Sequence, residues 1–271
     1  MKVGLQVYSI RDDASQDFAA AMKKVKEFGY DGVELAGTYG MKAEDMKAVL
    51  DEVGLVAISA HVPLDEMKNE PEKTFTFYKT LGCRFIAIPW MGGTGRPGGE
   101  LFFETLKDIE AVGNIAKTYG ITLLYHNHDF EFVKVDGKYG LDLMYETIPA
   151  SALETELDTC WVNIGGENPA AYVMKYKGRT PVVHLKDFYK QDGATSDNMY
   201  ELIGVAKKVT AVNTFEFRCV GHGMQNMPAI VEAAEAAGAE WVIVEQDRPS
   251  QGLTPMECAY ISRKYLHSIG L

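Results

Sequence analysis

Cysteine is scarce and scattered. The four, Cys83, Cys160, Cys219 and Cys258, lie far apart and form no Cys-x-x-Cys pair. That spacing excludes a thiolate zinc site, and a chain of 271 residues needs no disulfide framework to fold. Cys160 and Cys219 have no matching base, so inert packing is expected of them. Positive charge is also in deficit: 27 Lys and Arg stand against 38 Asp and Glu, a formal net charge of −11. Phosphate backbones and anionic membranes are bound by clustered Lys and Arg, so neither nucleic acid nor a membrane is an expected partner. No apolar run approaches the ~20 residues that span a bilayer. Met1-Lys2-Val3-Gly4-Leu5-Gln6 enters a strand pattern directly, so no signal peptide is expected. A reducing cytoplasm is the expected location. No Gly-x-Gly-x-x-Gly follows that first strand, which disfavours a doubly wound dinucleotide fold. No Gly-rich loop opens a helix to hold phosphate. No low-complexity segment or linker divides the chain, so residues 1–271 are expected to form one domain.

What is present is a recurring unit: an amphipathic helix pattern, a glycine, then a short apolar run. It appears around Gly29, Gly54, Gly82, Gly120 and Gly238. Glycine takes the left-handed conformation that ends many helices, so each unit reads as a helix cap feeding a strand. Strands are expected near 3–8, 32–36, 55–61, 84–89, 121–128, 152–158, 181–186 and 241–246. Helices fill the gaps, including one with an i, i+4, i+7 stripe at Phe18, Met22 and Val25. Thr214-Phe215-Glu216-Phe217 reads as a hairpin-like insertion between the seventh and eighth strands. Eight strands alternating with helices over this length imply an α/β fold, a single-domain (β/α)8 TIM barrel.

Barrel chemistry gathers where strands end, and the titratable residues fall there. The expected ends offer Gln6, Tyr8 and Arg11; Glu34; His61; Trp90; His126 and His128; Asp158; His184, Lys186 and Asp187; and Glu245 with Asp247. In a strand, His126 and His128 would project to one face. Glu154, Glu156 and Asp158 share one parity and would point into the barrel. Buried ionised carboxylates need a cation, a proton or an ion-pair network. A divalent metal held by Asp158, His184 and Glu245 is the simplest partner. An ion-pair network at the barrel floor is the alternative, expected for Glu154 and extending to Glu156. Trp90 and Trp161 could pack between elements or give a sugar a flat apolar wall. Gly221-His222-Gly223 reads as a turn, and His267 as a surface residue of the last helix.

The ordered set Gly4-Leu5-Gln6-Val7-Tyr8-Ser9, Asp31-Gly32-Val33-Glu34, Tyr125-His126-Asn127-His128, Leu157-Asp158-Thr159, His184-Leu185-Lys186-Asp187 and Val244-Glu245 resembles the xylose-isomerase-like barrels. More narrowly it is similar to the sugar phosphate isomerase/epimerase group, with its ketose 3-epimerases and inosose dehydratase. The resemblance implies a divalent ion, Mn, Co, Mg or Zn, at the barrel mouth. Asp158, His184 and Glu245 match three of the epimerases' ligands, and His126 stands where those enzymes carry a glutamate. Trp161 stands where they carry a histidine.

The expected activity is that of a metal-dependent sugar isomerase or epimerase that abstracts a proton beside a carbonyl. Glu245 would serve as base and His126 or His128 as the opposing acid/base group. Lys186 would hold a substrate oxygen, while Glu34 and His61 bind hydroxyls. A dehydratase or lyase on a keto-polyol or 3-keto-glycoside is the alternative, and a non-catalytic sugar-binding barrel is another. The expected partner is a small carbohydrate, and the sequence leaves homo-oligomerisation open.

Overall fold

The computed structural model describes residues 1–191 and 215–271. Eight parallel strands close into a barrel: β1 (Lys2–Gln6), β2 (Gly32–Ala36), β3 (Val56–His61), β4 (Phe85–Ile88), β5 (Thr122–His126), β6 (Glu154–Asp158), β7 (Val182–Leu185) and β8 (Trp241–Val244). Each strand neighbours the one before it in sequence, and β8 pairs with β1 to close the ring. The expected α/β barrel is the observed one.

The recurring helix–glycine–strand unit has the conformational cause inferred for it. Gly29, Gly54, Gly82, Gly120 and Gly238 all have φ between 75° and 95°, a region costly for residues with a Cβ. The helix Phe18–Glu27 opens on Asp17, whose side chain accepts from the Ala20 N–H at 3.0 Å. It buries Phe18, Met22 and Val25 against the outer faces of the strands. Burying a side chain such as Met22 contributes roughly 1.5–3 kcal/mol.

Inside the barrel, the layers change character from floor to mouth. The floor is an apolar plug of Ile58, Phe85, Ala87, Leu124, Val182, Trp241 and Ile243. Ile58 reaches across to β1 and β2, where only glycine fits: a Cβ on Gly4 would lie 2.5 Å from Ile58 Cδ1, and one on Gly32 would lie 2.6 Å from the Val56 carbonyl oxygen. Above the plug the interior turns polar with Gln6, Glu34, Ser59 and Glu156, all fully buried. The histidines and remaining carboxylates lie nearer the strand ends.

Several strands stop earlier than expected. β5 ends at His126, so His128 belongs to the following loop and not to a shared strand face. Lys186, Glu245 and Trp90 likewise lie just beyond their strands. The inserted run forms Phe215–Arg218, antiparallel to Asp187–Lys190; its first expected residue, Thr214, lies outside the described residues. Asp187 anchors this ribbon and the loop after it. Its carboxylate accepts backbone N–H groups from Phe188, Gly221, Gly223 and Gln225 at 2.9–3.2 Å. The Gly221-His222-Gly223 segment is thus a tethered turn. All four cysteines are free and buried. Among the described residues, no helix is long and apolar enough to cross a membrane.

Candidate metal centre and active site

Register brings the titratable residues together. On the paired strands β5 and β6, His126 stands opposite Glu156, and on β6 and β7 Asp158 stands opposite His184. Donor atoms of His126, Asp158, His184 and Glu245, drawn from β5 through the end of β8, lie within 4.8 Å of one another. An ion with bonds of about 2.1 Å holds its donors up to about 4.2 Å apart, so a small contraction would close this set on one ion.

Asp158 supplies the sharpest test of that fit. Its Oδ1 accepts the Trp161 N–H at 2.9 Å and caps the helix Thr159–Ile164. Its Oδ2 is buried with no hydrogen-bond partner, 3.8 Å from His126 Nε2 and 3.6 Å from Lys186 Nζ. Nitrogen and carboxylate donors with one unsatisfied buried oxygen suit a divalent ion of the zinc or manganese kind. Burial raises the Asp158 carboxyl to about 7 against the opposing pull of Lys186, the cost of an uncompensated charge.

Below this set lies a second carboxylate layer that sequence reasoning placed differently. An ion-pair network at the floor was the alternative reading for Glu156, and substrate hydroxyls were expected for Glu34. Both instead contact the far nitrogens of the ligand histidines. Glu156 Oε2 lies 3.2 Å from His126 Nδ1, 3.4 Å from His184 Nε2 and 2.8 Å from His61 Nε2. Glu34 Oε2 lies 2.7 Å from His184 Nε2 and 3.1 Å from His61 Nε2, while Gln6 and Ser59 donate to the same carboxylate. Glu34 therefore faces histidines and not the cavity. His61, His126, Glu156 and His184 also form a metal-capable group, sharing two histidines with the upper set. Carboxylates behind ligand histidines fix which ring nitrogen faces the ion.

Electrostatics divide the four histidines. Burial opposes charge on His61 and His184, yet Glu34 and Glu156 outweigh it. His61 rises to about 10 and His184 goes well above its ordinary value. Burial and the cationic neighbours His184 and His61 push His126 well below its ordinary value, and burial with Lys186 does the same to His128. Both shifts favour the neutral imidazole over the imidazolium. A neutral imidazole is the ligand form. A bound ion would displace the proton from His184.

Lys186 is buried and held charged by Asp247 at 2.6 Å, Glu245 at 3.1 Å and Asp158. The rings of Trp161 and Phe217 bracket its ammonium at 5.5 and 5.1 Å. Trp161, for which packing and a wall of the mouth were both open, is fully buried and off the cavity lining. Its place beneath His128 and beside Lys186 makes it a packing partner of the site. Trp90 does line the cavity, edge-on to His128 at 4.7 Å. Burial outweighs the hydrogen bond from Tyr125 and raises Glu131 to about 8. It accepts that bond at 2.5 Å and the His128 N–H at 2.8 Å.

The cavity over this cluster has a volume of about 870 Å³, and His61, His126, His128, Lys186, Glu245 and Asp247 line its inner end. Burial alone would raise the Glu245 carboxyl, but Lys186 and His184 hold it well below the usual carboxylate range. The inner end thus presents an ionised carboxylate, an ammonium and neutral imidazoles to one ligand.

Comparisons with known proteins agree with this architecture. Residues 22–264 match the model of the family described as xylose isomerase-like TIM barrel. The chain is 25% identical to an inosose dehydratase of Lacticaseibacillus casei over 92% of its own length and 88% of the relative's. Among solved structures, a sugar phosphate isomerase/epimerase from Parabacteroides distasonis ATCC 8503 superposes with a TM-score of 0.79 at 22% identity, over 98% of this chain and 93% of that one. The IOLI protein, solved with a bound zinc atom, superposes with a TM-score of 0.72 at 14% identity, over 99% of this chain and 98% of that one.

Proposed function

For a chain that belongs to the xylose isomerase-like TIM barrel family, we propose the activity of a metal-dependent lyase of the dehydratase type, acting on a keto-polyol. The carrying observation is the asymmetry of the cavity's inner end. Its carboxylates, Glu245 and Asp247, both follow β8, while the wall after β5 presents only imidazoles. Among the described residues lining this inner end, no carboxylate stands opposite Glu245 and Asp247, so inversion by two carboxylates on opposite substrate faces lacks its second group. Elimination needs one base and one acid, and these can share a side. The curated relatives named inosose dehydratase support the same reading.

In this mechanism Glu245 takes the proton from the carbon beside the carbonyl. Its Oε2 faces the ligand cluster, leaving Oε1 for the proton. Lys186 donates to the oxygen that departs from the neighbouring carbon. With Nζ 3.1 Å from Glu245 Oε2, the acquired proton has a short path back to the amine. His126 and His128, neutral, accept hydrogen bonds from substrate hydroxyls or bind the ion. A divalent ion at His126, Asp158, His184 and Glu245 would supply Lewis-acid polarisation of the substrate oxygens. The apolar face of Trp90 would lie against the sugar's C–H surface.

The sugar isomerase reading shares the first proton transfer, and the likeness to the Parabacteroides sugar phosphate isomerase/epimerase supports it. An inosose incubated in heavy water with the metal-loaded protein separates the two. Deuterium entry with loss of one water is expected; an isomer of unchanged composition as the sole product would replace the dehydratase reading.

A further inference from the structure

We infer that Glu131 is a positioning residue of the proposed reaction: through the main chain of the loop after β5, it holds the His128 imidazole at the inner end of the cavity. This rests on the reading above, in which His128 meets the substrate, and adds the group that aims it.

His128 differs from the other histidines of the site in how its ring is held. The far nitrogens of His126 and His184 meet Glu156 and Glu34 at 3.2 and 2.7 Å, and a carboxylate there fixes a ring directly. His128 Nδ1 is instead buried with no hydrogen-bond partner among the described residues. Rings surround it: Phe130 stacks at 5.5 Å, Trp161 lies tilted at 5.2 Å and Trp90 stands edge-on at 4.7 Å. Such contacts contribute about 0.5–1.5 kcal/mol per pair and limit the ring's tilt. How far the ring reaches towards the cavity is set by the backbone that carries it.

That backbone is pinned on both sides of His128 by fully buried side chains. Asn127 Oδ1 accepts the Asp158 N–H at 3.0 Å, and its Nδ2 donates to the Asp158 carbonyl at 3.4 Å. Glu131 turns back three residues, and its Oε2 accepts the His128 N–H at 2.8 Å. Its Oε1 accepts the Tyr125 hydroxyl at 2.5 Å. Tyr125 belongs to β5, so Glu131 ties the loop to a strand of the barrel. Glu131 is off the cavity lining, and its carboxylate meets Tyr125 and His128 rather than the ligand set. Burying a carboxyl is costly unless its oxygens are paired. Here the two oxygens satisfy a hydroxyl and a main-chain N–H at once. A misplacement of about 1 Å at a reacting group can cost about a hundredfold in rate, so losing this tether should reach the chemistry through His128.

The test is a double-mutant cycle on metal-loaded protein, with an inosose in heavy water. Deuterium entry, which the lyase and isomerase readings share, reads the cycle; product composition separates the two readings. Glu131→Met removes both acceptor oxygens at similar volume. Glu131→Gln keeps an oxygen for the His128 N–H, while its amide donates to the Tyr125 hydroxyl. His128→Phe keeps the ring stack and removes the nitrogen facing the cavity. Glu131→Met should retain full metal content and lower kcat for exchange on the order of a hundredfold, with a smaller change in KM. Glu131→Gln should recover most of that loss. On the His128→Phe background Glu131→Met should add little, because the two residues act as one unit. Losses that multiply in the double variant, or an unchanged kcat in Glu131→Met, would overturn the inference. If Glu131→Met does not fold, Glu131→Asp, with its carboxylate drawn back by one carbon, takes its place under the same outcomes. An isomer as sole product would overturn the lyase reading alone, since the cycle is read on exchange. Absence of exchange in the unaltered protein would overturn both.

Discussion

At the scale of single residues, the site depends on side chains with two duties. Asp158 caps a helix with one oxygen and offers the other to the ligand set. Asp158→Asn keeps a capping oxygen but loses the charge, and His184→Asn loses an imidazole. Both variants should fold and lose their bound metal, and elemental analysis of purified protein checks this; full metal content in both would move the centre elsewhere. Glu156→Gln tests the deeper layer. It leaves the upper donors untouched but loosens the orientation of His126 and His184, so divalent-ion affinity measured by calorimetry should weaken roughly 10–100-fold. Unchanged affinity would reduce Glu156 to a partner of His61 alone. His184 and Glu245 were legible because each ends an apolar run, and Asp158 because it closes an alternating one. The deeper pairing was not. Glu34 looks the same in sequence whether it meets a hydroxyl or a histidine, and only the folded barrel, which brings its Oε2 within 2.7 Å of His184 Nε2, settles which.

At the scale of elements, glycines marked the strand starts, while the strand ends were harder to read. A polar residue such as His128 keeps an alternating pattern past the end of its strand at His126, so sequence extends strands that the fold stops. The ribbon after β7 shows what such a loop does. Gln225 Nε2 donates to the Lys186 carbonyl at 2.8 Å, and Asp187 holds the Gln225 backbone. A Cβ on Gly223 would lie 2.1 Å from Asp187 Oδ1 and 2.4 Å from the Phe188 carbonyl. Gly223→Ala should therefore cost about 1–3 kcal/mol of stability and lower kcat more than it raises KM, because it displaces the support of Lys186. Urea denaturation and steady-state kinetics read the two effects, and an unaltered kcat would uncouple the ribbon from the chemistry.

At the scale of the whole molecule, the buried charges make stability depend on pH and metal together. The folded values of Glu156 and Asp158 rise from 4.5 and 3.8 to about 7. That of His61 rises from 6.5 to about 10. Each group binds its proton more tightly folded than unfolded, so its stabilisation is full below the unfolded value and lost as pH rises through the folded one. Glu34 and Glu245 are depressed, and their share is lost on acidification. His126 and His128, depressed, gain stability as pH rises to about 6.5 and oppose that loss, so chelated protein should melt lower chiefly from about pH 6.5 to about pH 8. Added divalent ion should restore more at the higher pH, where fewer protons compete for the ligands; a pH-independent gain in calorimetric scans would count against a proton-linked centre. The barrel's closure has a temporal side as well. Glu245 follows β8, the strand that pairs with both β7 and β1 to complete the ring, and it is the last of the four donors to be synthesised. A chain emerging from the ribosome carries three ligands on an open sheet until residue 245 and its strand arrive. The ion would therefore report on completed folding: a fragment truncated before Trp241 should fail to retain it even where its earlier strands have paired.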